Sequence, residues 1–267
     1  MLRSSALAAP AFALCLAASA ALAAELPPGA AELAAHRAHY RLALESAQGG
    51  DVEAATGTMD YEVIDACDSW ATHQKLEMML TNRDGQDIQM SSDYATWETK
   101  DGLAIRFRMK QITEQAVTSE TEGDAKLESF GGPGEAHYRI PSDTTKKLPS
   151  GTLFPMLHTA ALIQAARAGE KFLAVPLFDG TSESGAEQSF VIVEGWNGPE
   201  PSKFPALSPL ASTRVHISFF EEGKETPGYQ VTMKYWTNGV ADDVHMDFGD
   251  FVMHGTMTEF HALPHRC

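Results

Sequence analysis

Apolar and polar residues alternate with a period of two along much of this chain, the pattern of strands that bury one face. Leu103, Ile105, Phe107 and Met109 alternate with Ala104, Arg106, Arg108 and Lys110, and Tyr229, Val231, Met233 and Tyr235 alternate with Gln230, Thr232, Lys234 and Trp236. The same rhythm runs through Tyr40, Leu42 and Leu44, through Gly57, Met59, Tyr61 and Val63, through Leu76, Met78 and Leu80, and through Val215, Ile217 and Phe219. Between these runs, Asp84-Gly85, Asp101-Gly102 and Glu222-Gly223 are turn signals at short intervals, which suits hairpins and meanders rather than parallel crossovers. The expected fold is mainly β and mostly antiparallel.

One segment departs from this rhythm. After Leu148-Pro149-Ser150-Gly151-Thr152, the stretch from Phe154 to Ala168 is rich in Ala and Leu, carries Pro155 in its first turn and has Gly169 just past its end. That spacing predicts a helix of about four turns over residues 154–168. Its apolar residues Phe154, Met156, Leu157, Ala161, Leu162, Ile163 and Ala165 lie nearly all the way round, so the helix must be covered, and the sheet is expected to curl around it. Strand-like runs resume at Phe172 to Phe178 and at Phe190 to Val193, while Gly131-Gly132-Pro133-Gly134 and Gly198 to Pro209 read as loops, the second long enough to be functional. Neither loop marks a composition shift of the kind that separates domains, and no repeat of fixed period is visible.

The N-terminus changes the compartment in which this fold must form. Arg3 precedes an uncharged run from Ala6 to Leu22 that ends in Ala21-Leu22-Ala23, a small-x-small cleavage pattern. Residues 1–23 are read as a signal peptide rather than an anchor, because the run is alanine-rich and is followed at once by Glu25-Leu26-Pro27-Pro28-Gly29. Cys15 follows Phe12-Ala13-Leu14, too bulky for lipoprotein processing, and leaves with the signal. Residues 24–267 are then a single domain in the periplasm, and its formal charge moves from −16 to about −17 with the loss of Arg3. So acidic a chain does not recruit nucleic acid by bulk charge. Cys67 and Cys267 remain; outside the reducing cytoplasm they are most simply a disulfide, with two free thiols or pairing between molecules as the alternatives.

A set of local motifs carries a resemblance. His36-Arg37 with Tyr40, Gly57-x-Met59-x-Tyr61, Cys67, Gly151-Thr152-Leu153-Phe154-Pro155-x-x-His158, Leu177-Phe178-Asp179-Gly180 and the terminal cysteine follow in an order that resembles the EipB-like family of periplasmic envelope-integrity proteins. The block from Gly151 to His158 is its most specific part, and the final third agrees mainly by strand pattern. The resemblance implies a β-spiral, an antiparallel sheet wound into an open barrel-like shape around a helix, with one internal disulfide, a role in maintaining the envelope and no enzymatic activity.

A direct search for chemistry agrees with that last implication. There is no G-x-S-x-G elbow, no H-E-x-x-H and no phosphate-binding glycine loop, and no cofactor or metal is expected. Asp243, His245 and Asp247 share one strand face while Val244, Met246 and Phe248 face the core; a solvated polar face explains them, and a metal-dependent hydrolase is the rival. His261 and His265 add no metal-ligand spacing. The ligand-binding candidates are the basic face of Arg106, Arg108 and Lys110, with Phe154 and His158 from the helix block. Met59, Met78, Met79, Met109, Met156, Met233, Met246, Met253 and Met257 on the expected inward faces fill a core or line an adaptable apolar groove. The expected partner is an envelope lipid, glycan or protein, bound through the curved sheet or its open edge.

Overall fold

The structure is a computed structural model and describes residues 27–264; the signal segment 1–23, Cys15, His265 and Cys267 lie outside the described residues. After a 3-10 turn at Ala30–Glu32, eight strands follow in a meander: β1 (His36–Ala47), β2 (Val52–Asp65), β3 (Ser69–Asn82), β4 (Asp87–Thr99), β5 (Ala104–Thr113), β6 (Ala116–Leu127), β7 (Gly134–Ile140) and β8 (Thr144–Leu148). Helix α1 (Pro155–Arg167) returns the chain, and six more strands follow: β9 (Phe172–Leu177), β10 (Glu187–Asn197), β11 (Ser212–Phe220), β12 (Tyr229–Trp236), β13 (Ala241–Asp247) and β14 (Phe251–Ala262). All fourteen join one sheet in the order β8-β7-β6-β5-β4-β3-β2-β1-β14-β13-β12-β11-β10-β9. Every pairing is antiparallel, and the last strand docks on the first, which leaves β8 and β9 as the two terminal strands.

Such a long twisted sheet coils on itself, and here the inner face closes around two cores. The larger packs Met156, Ala160, Leu162, Ile163 and Ala166 of α1 against Tyr40, Leu42, Met59 and Val63 on one side and Val191, Val215, Val244 and Met253 on the other. The smaller lies inside β5–β8, where Ile105, Phe107, Ala125, Tyr138 and Leu148 surround Phe154 and Phe178. Phe178 arrives on the loop after β9, which enters the curl of β4–β7: Tyr94, Thr121 and Tyr138 each donate a hydroxyl hydrogen bond to the backbone carbonyls of Asp179, Gly180 and Ser182 in turn (2.6, 2.6 and 2.8 Å). The sheet thus winds around the helix and then around its own β9–β10 loop.

Several expectations differ in detail. Trp236, expected to point outward, is buried, because Leu207 and the flanking Phe204 and Leu210 pack into the same core cluster. The segment Gly198 to Pro209 therefore serves the core and does not stand free as a functional loop. Met79 is exposed, since two consecutive strand residues cannot both face inward and Met78 holds the inner position. Most of the other methionines fill the core, while Met233 is only partly buried. Strands β4, β6, β7, β8 and β14 are not among the runs picked out by alternation. The inner face of β6 is Thr121, Gly123, Ala125 and Leu127, and that of β4 includes Thr96 and Glu98, so their buried faces are too small or too polar to register as hydrophobic alternation.

Candidate functional site

The helix block is explained by how α1 begins. Pro155 suits the first helical position, where no amide partner is needed, but the N-cap residue is Phe154, which has no side-chain oxygen and makes no capping bond. The missing acceptor comes from β4: Glu98, with a relative exposure of 0%, accepts the backbone N–H of Met156 at 2.9 Å and of Leu157 at 3.2 Å. Burial raises its pKa to about 8 against these two amide bonds, which favour the charged form. No positive motif announces this residue in the sequence; the signal available was negative, a proline-led helix whose N-cap residue carries no oxygen. Within the same block Thr152 donates to the carbonyl of Pro149 at 2.7 Å, Phe154 enters the smaller core, and His158 shares a 2.8 Å hydrogen bond with the Ser189 hydroxyl. Burial lowers the His158 pKa to about 4, so the ring is neutral at physiological pH.

The basic face occupies the other side of the sheet. Arg106 and Arg108 project outward from β5 while Phe107 between them points into the smaller core toward Phe178 and thence Phe154. Across the β5–β6 ladder Arg106, Arg108 and Lys110 stand opposite Asp124, Glu122 and Glu120, and Arg108 reaches Glu120 at 3.5 Å. The structure therefore does not bring Phe154 and His158 together with Arg106, Arg108 and Lys110 as one site. Near Cys67 the residue types also have structural partners. Lys100 pairs with buried Asp65 at 2.5 Å and lies 4.2 Å from the centre of the buried Trp70 ring, and Asp65 accepts the Cys67 N–H at 2.9 Å. Cys67 takes a left-handed backbone conformation (φ 75°) and is not free; Cys267 lies outside the described residues.

A polar groove of about 360 Å³ crosses the outer face of β11–β14 and β1, lined by residues that include Glu45, Arg214, His216, Gln230, His245 and Asp247. Beside this groove Asp243 and His245 do meet, as their spacing predicts, but Asp247 caps the following turn by accepting the Gly249 N–H at 2.8 Å. The third member of the cluster is His254, directly opposite His245 across the β13–β14 ladder, its ring stacked on His245 at 4.4 Å. Two register breaks aim carboxylates at this pair: Glu45 sits at the break between Leu44 and Ser46 in β1, and Asp243 (φ 51°) at the break between β12 and β13. Burial alone raises the Asp243 pKa, but Arg214 and His254 outweigh it and hold the carboxyl below its usual range.

A third surface feature is apolar. Phe172, Phe190 and Ile192 form an outward strip on β9 and β10, with relative exposures of 59%, 36% and 38%, and the two phenyl rings stack at 5.8 Å. Beyond its pairing with β10, terminal strand β9 carries one isolated bridge among the described residues, Leu153 to Leu177.

Comparison with known proteins fits the architecture. The sequence profile of the EipB-like family matches residues 27–264, the whole described chain. The chain belongs to the EipB-like family. Among EipB-like proteins it is 29% identical over 239 residues to the cell envelope integrity protein EipB of Brucella abortus (strain 2308), spanning 86% of this chain and 84% of that one. It is similar, with a TM-score of 0.78 and 29% identity, to a crystal structure of a β-barrel-like protein of a domain of unknown function, DUF1849, from Brucella abortus, covering 87% of this chain and 99% of that one. Two of the motif blocks that carry the EipB-like resemblance, Gly151 to His158 and Leu177 to Gly180, are places where the helix and the β9–β10 loop lock into the spiral.

Proposed function

We propose that this chain is an exported periplasmic protein that maintains the integrity of the cell envelope without catalysing a reaction, and that it works by docking an envelope protein on the outer face of its β9 edge. The envelope role rests on its EipB relative from Brucella abortus. The docking surface rests on one observation, the exposed Phe172–Phe190–Ile192 strip on a terminal strand. Natural sheets usually keep such strands polar, and an uncovered apolar face on a terminal strand favours docking by a partner. The absence of chemistry is supported by the motif blocks, whose polar side chains are engaged in holding the fold. None of the described helices is long and apolar enough to cross a membrane.

The test is genetic. Deleting the gene is expected to sensitise cells to detergent, and the wild-type gene should restore resistance while the F172S/F190S double variant, exported and folded to the same extent, should not. Full rescue by the double variant overturns the docking surface, and unchanged detergent resistance on deletion overturns the envelope role. A photo-crosslinking residue at position 172 is expected to capture a protein; a lipid or glycan adduct would replace the partner class.

The same reading pairs Cys67 with Cys267. The bond would close a loop of about 200 residues, worth at most roughly 5 kcal/mol by chain entropy. Peptide mapping of the exported protein without reductant should recover the two cysteines in one linked peptide, and reduction should lower the unfolding midpoint. Recovery of both thiols by alkylation without reductant sinks the pairing.

A further inference from the structure

We propose that Asp243, His245 and His254 form a binding site for a first-row divalent transition-metal ion, Zn²⁺ being its ordinary occupant, on the outer face of β13–β14. Among the described residues they are the one group of three or more His, Cys, Asp or Glu side chains whose ligand atoms all lie within 4.8 Å of one another. Asp243 Oδ1 is 2.8 Å from His254 Nε2 and 3.4 Å from His245 Nε2. Donors at zinc–ligand distances of about 2.0–2.2 Å in a tetrahedron stand roughly 3.4 Å apart, so an ion enters with a small outward turn of His254. Two imidazoles and a carboxylate are a borderline donor set, suited to zinc and its neighbours and unsuited to Mg²⁺ or Ca²⁺.

The surroundings are those of a ligand set. His245 directs its other nitrogen, Nδ1, at Glu45 Oε2, 2.6 Å away. A proton on Nδ1 donated to Glu45 leaves the Nε2 lone pair facing Asp243, the carboxylate–histidine arrangement that orients metal-bound imidazoles. Arg214 donates to the other oxygen, Asp243 Oδ2, at 2.5 Å, which fixes the carboxylate and leaves Oδ1 for the ion. The Arg214 charge is itself offset by Glu194 at 3.5 Å. The two stacked imidazoles, their centres 4.4 Å apart, and one oxygen of Asp243 thus converge where a single cation would bind all three. Three protein ligands leave a coordination position for a water or an anionic group from the adjoining groove. The site lies on strands other than those of the apolar strip and stands without the docking proposal.

The probe is Zn²⁺ alone, titrated into tag-free protein against a chromophoric chelator. One equivalent is expected to bind with micromolar or tighter affinity, and Co²⁺ in its place should give visible absorption bands of a low-coordinate site. H254A and H245A should weaken Zn²⁺ binding about a hundredfold or more, and E45Q, which keeps all three ligands, about tenfold. H73A, remote on β3, should change nothing. Because E45Q alters only an exposed side chain, its result stands even if a ligand variant misfolds. Wild-type binding only at millimolar Zn²⁺, or equal affinity in wild type, E45Q and H254A, overturns the site.

Discussion

Replacing Glu98 with alanine is expected to destabilise the protein by about 3 kcal/mol, because the N–H groups of Met156 and Leu157 lose their acceptor inside the core, at roughly 1–3 kcal/mol for each buried amide left unsatisfied. For a chain of this length that is a fall in melting temperature of about 6–12 °C. A second measurement isolates the charge. The folded carboxyl has its pKa raised by burial to about 8, above the ordinary 4.5, so the folded state holds this proton more tightly than the unfolded chain does. The Glu98 contribution is therefore complete below about pH 4.5 and is lost as pH rises through about 8. Urea unfolding of wild type and E98Q from about pH 5 to about pH 9 should show the wild type losing stability relative to the variant, which keeps the shape but does not titrate. A pH-independent difference would mean that the two amide bonds keep the carboxylate charged throughout.

Gly180→Ala should be comparably damaging, for a different reason. Gly180 has a φ of 75°, and a Cβ there would stand 2.2 Å from Cγ of Phe107, inside the smaller core. The backbone costs about 1–2 kcal/mol for a residue with a Cβ and the overlap about 1–3 more. Gly85 provides the control, with the same φ of 75° and nothing within 4 Å of the added atom, so G85A measures the backbone cost alone. Thermal unfolding should place G180A several degrees below G85A. Equal midpoints would mean that the β9–β10 loop does not bear on Phe107, and the account of the smaller core would fail.

Both predictions fall within the motif blocks or on the residue that anchors one of them, which is why the most recognisable stretches of this sequence bear on the fold. The alternating runs and the proline-led apolar helix made the mainly β, helix-wrapping architecture legible, since period two and a helix apolar all round leave few other ways to exclude water. Of the strands that escaped notice, β4 and β6 carry Thr, Gly, Ala or Glu at inner positions. Their partners are a loop backbone and a helix end, so burial there is bought with hydrogen bonds and close approach instead of large apolar side chains.

The polar cluster divides the same way. Period two alone placed Asp243 and His245 on one face of a strand, and the chemistry of those residue types was readable there. Only the tertiary structure decided that Asp247 would cap a turn, that His254 would lie across the ladder, and that Glu45, two hundred residues away in sequence, would reach His245. Register and bulges set those meetings, and both depend on which strands pair, a relation between distant segments that local periodicity does not contain. By itself the sequence determined the periods, the helix and the family to which the chain belongs; the coiling of one sheet onto its own first strand decided what its side chains meet.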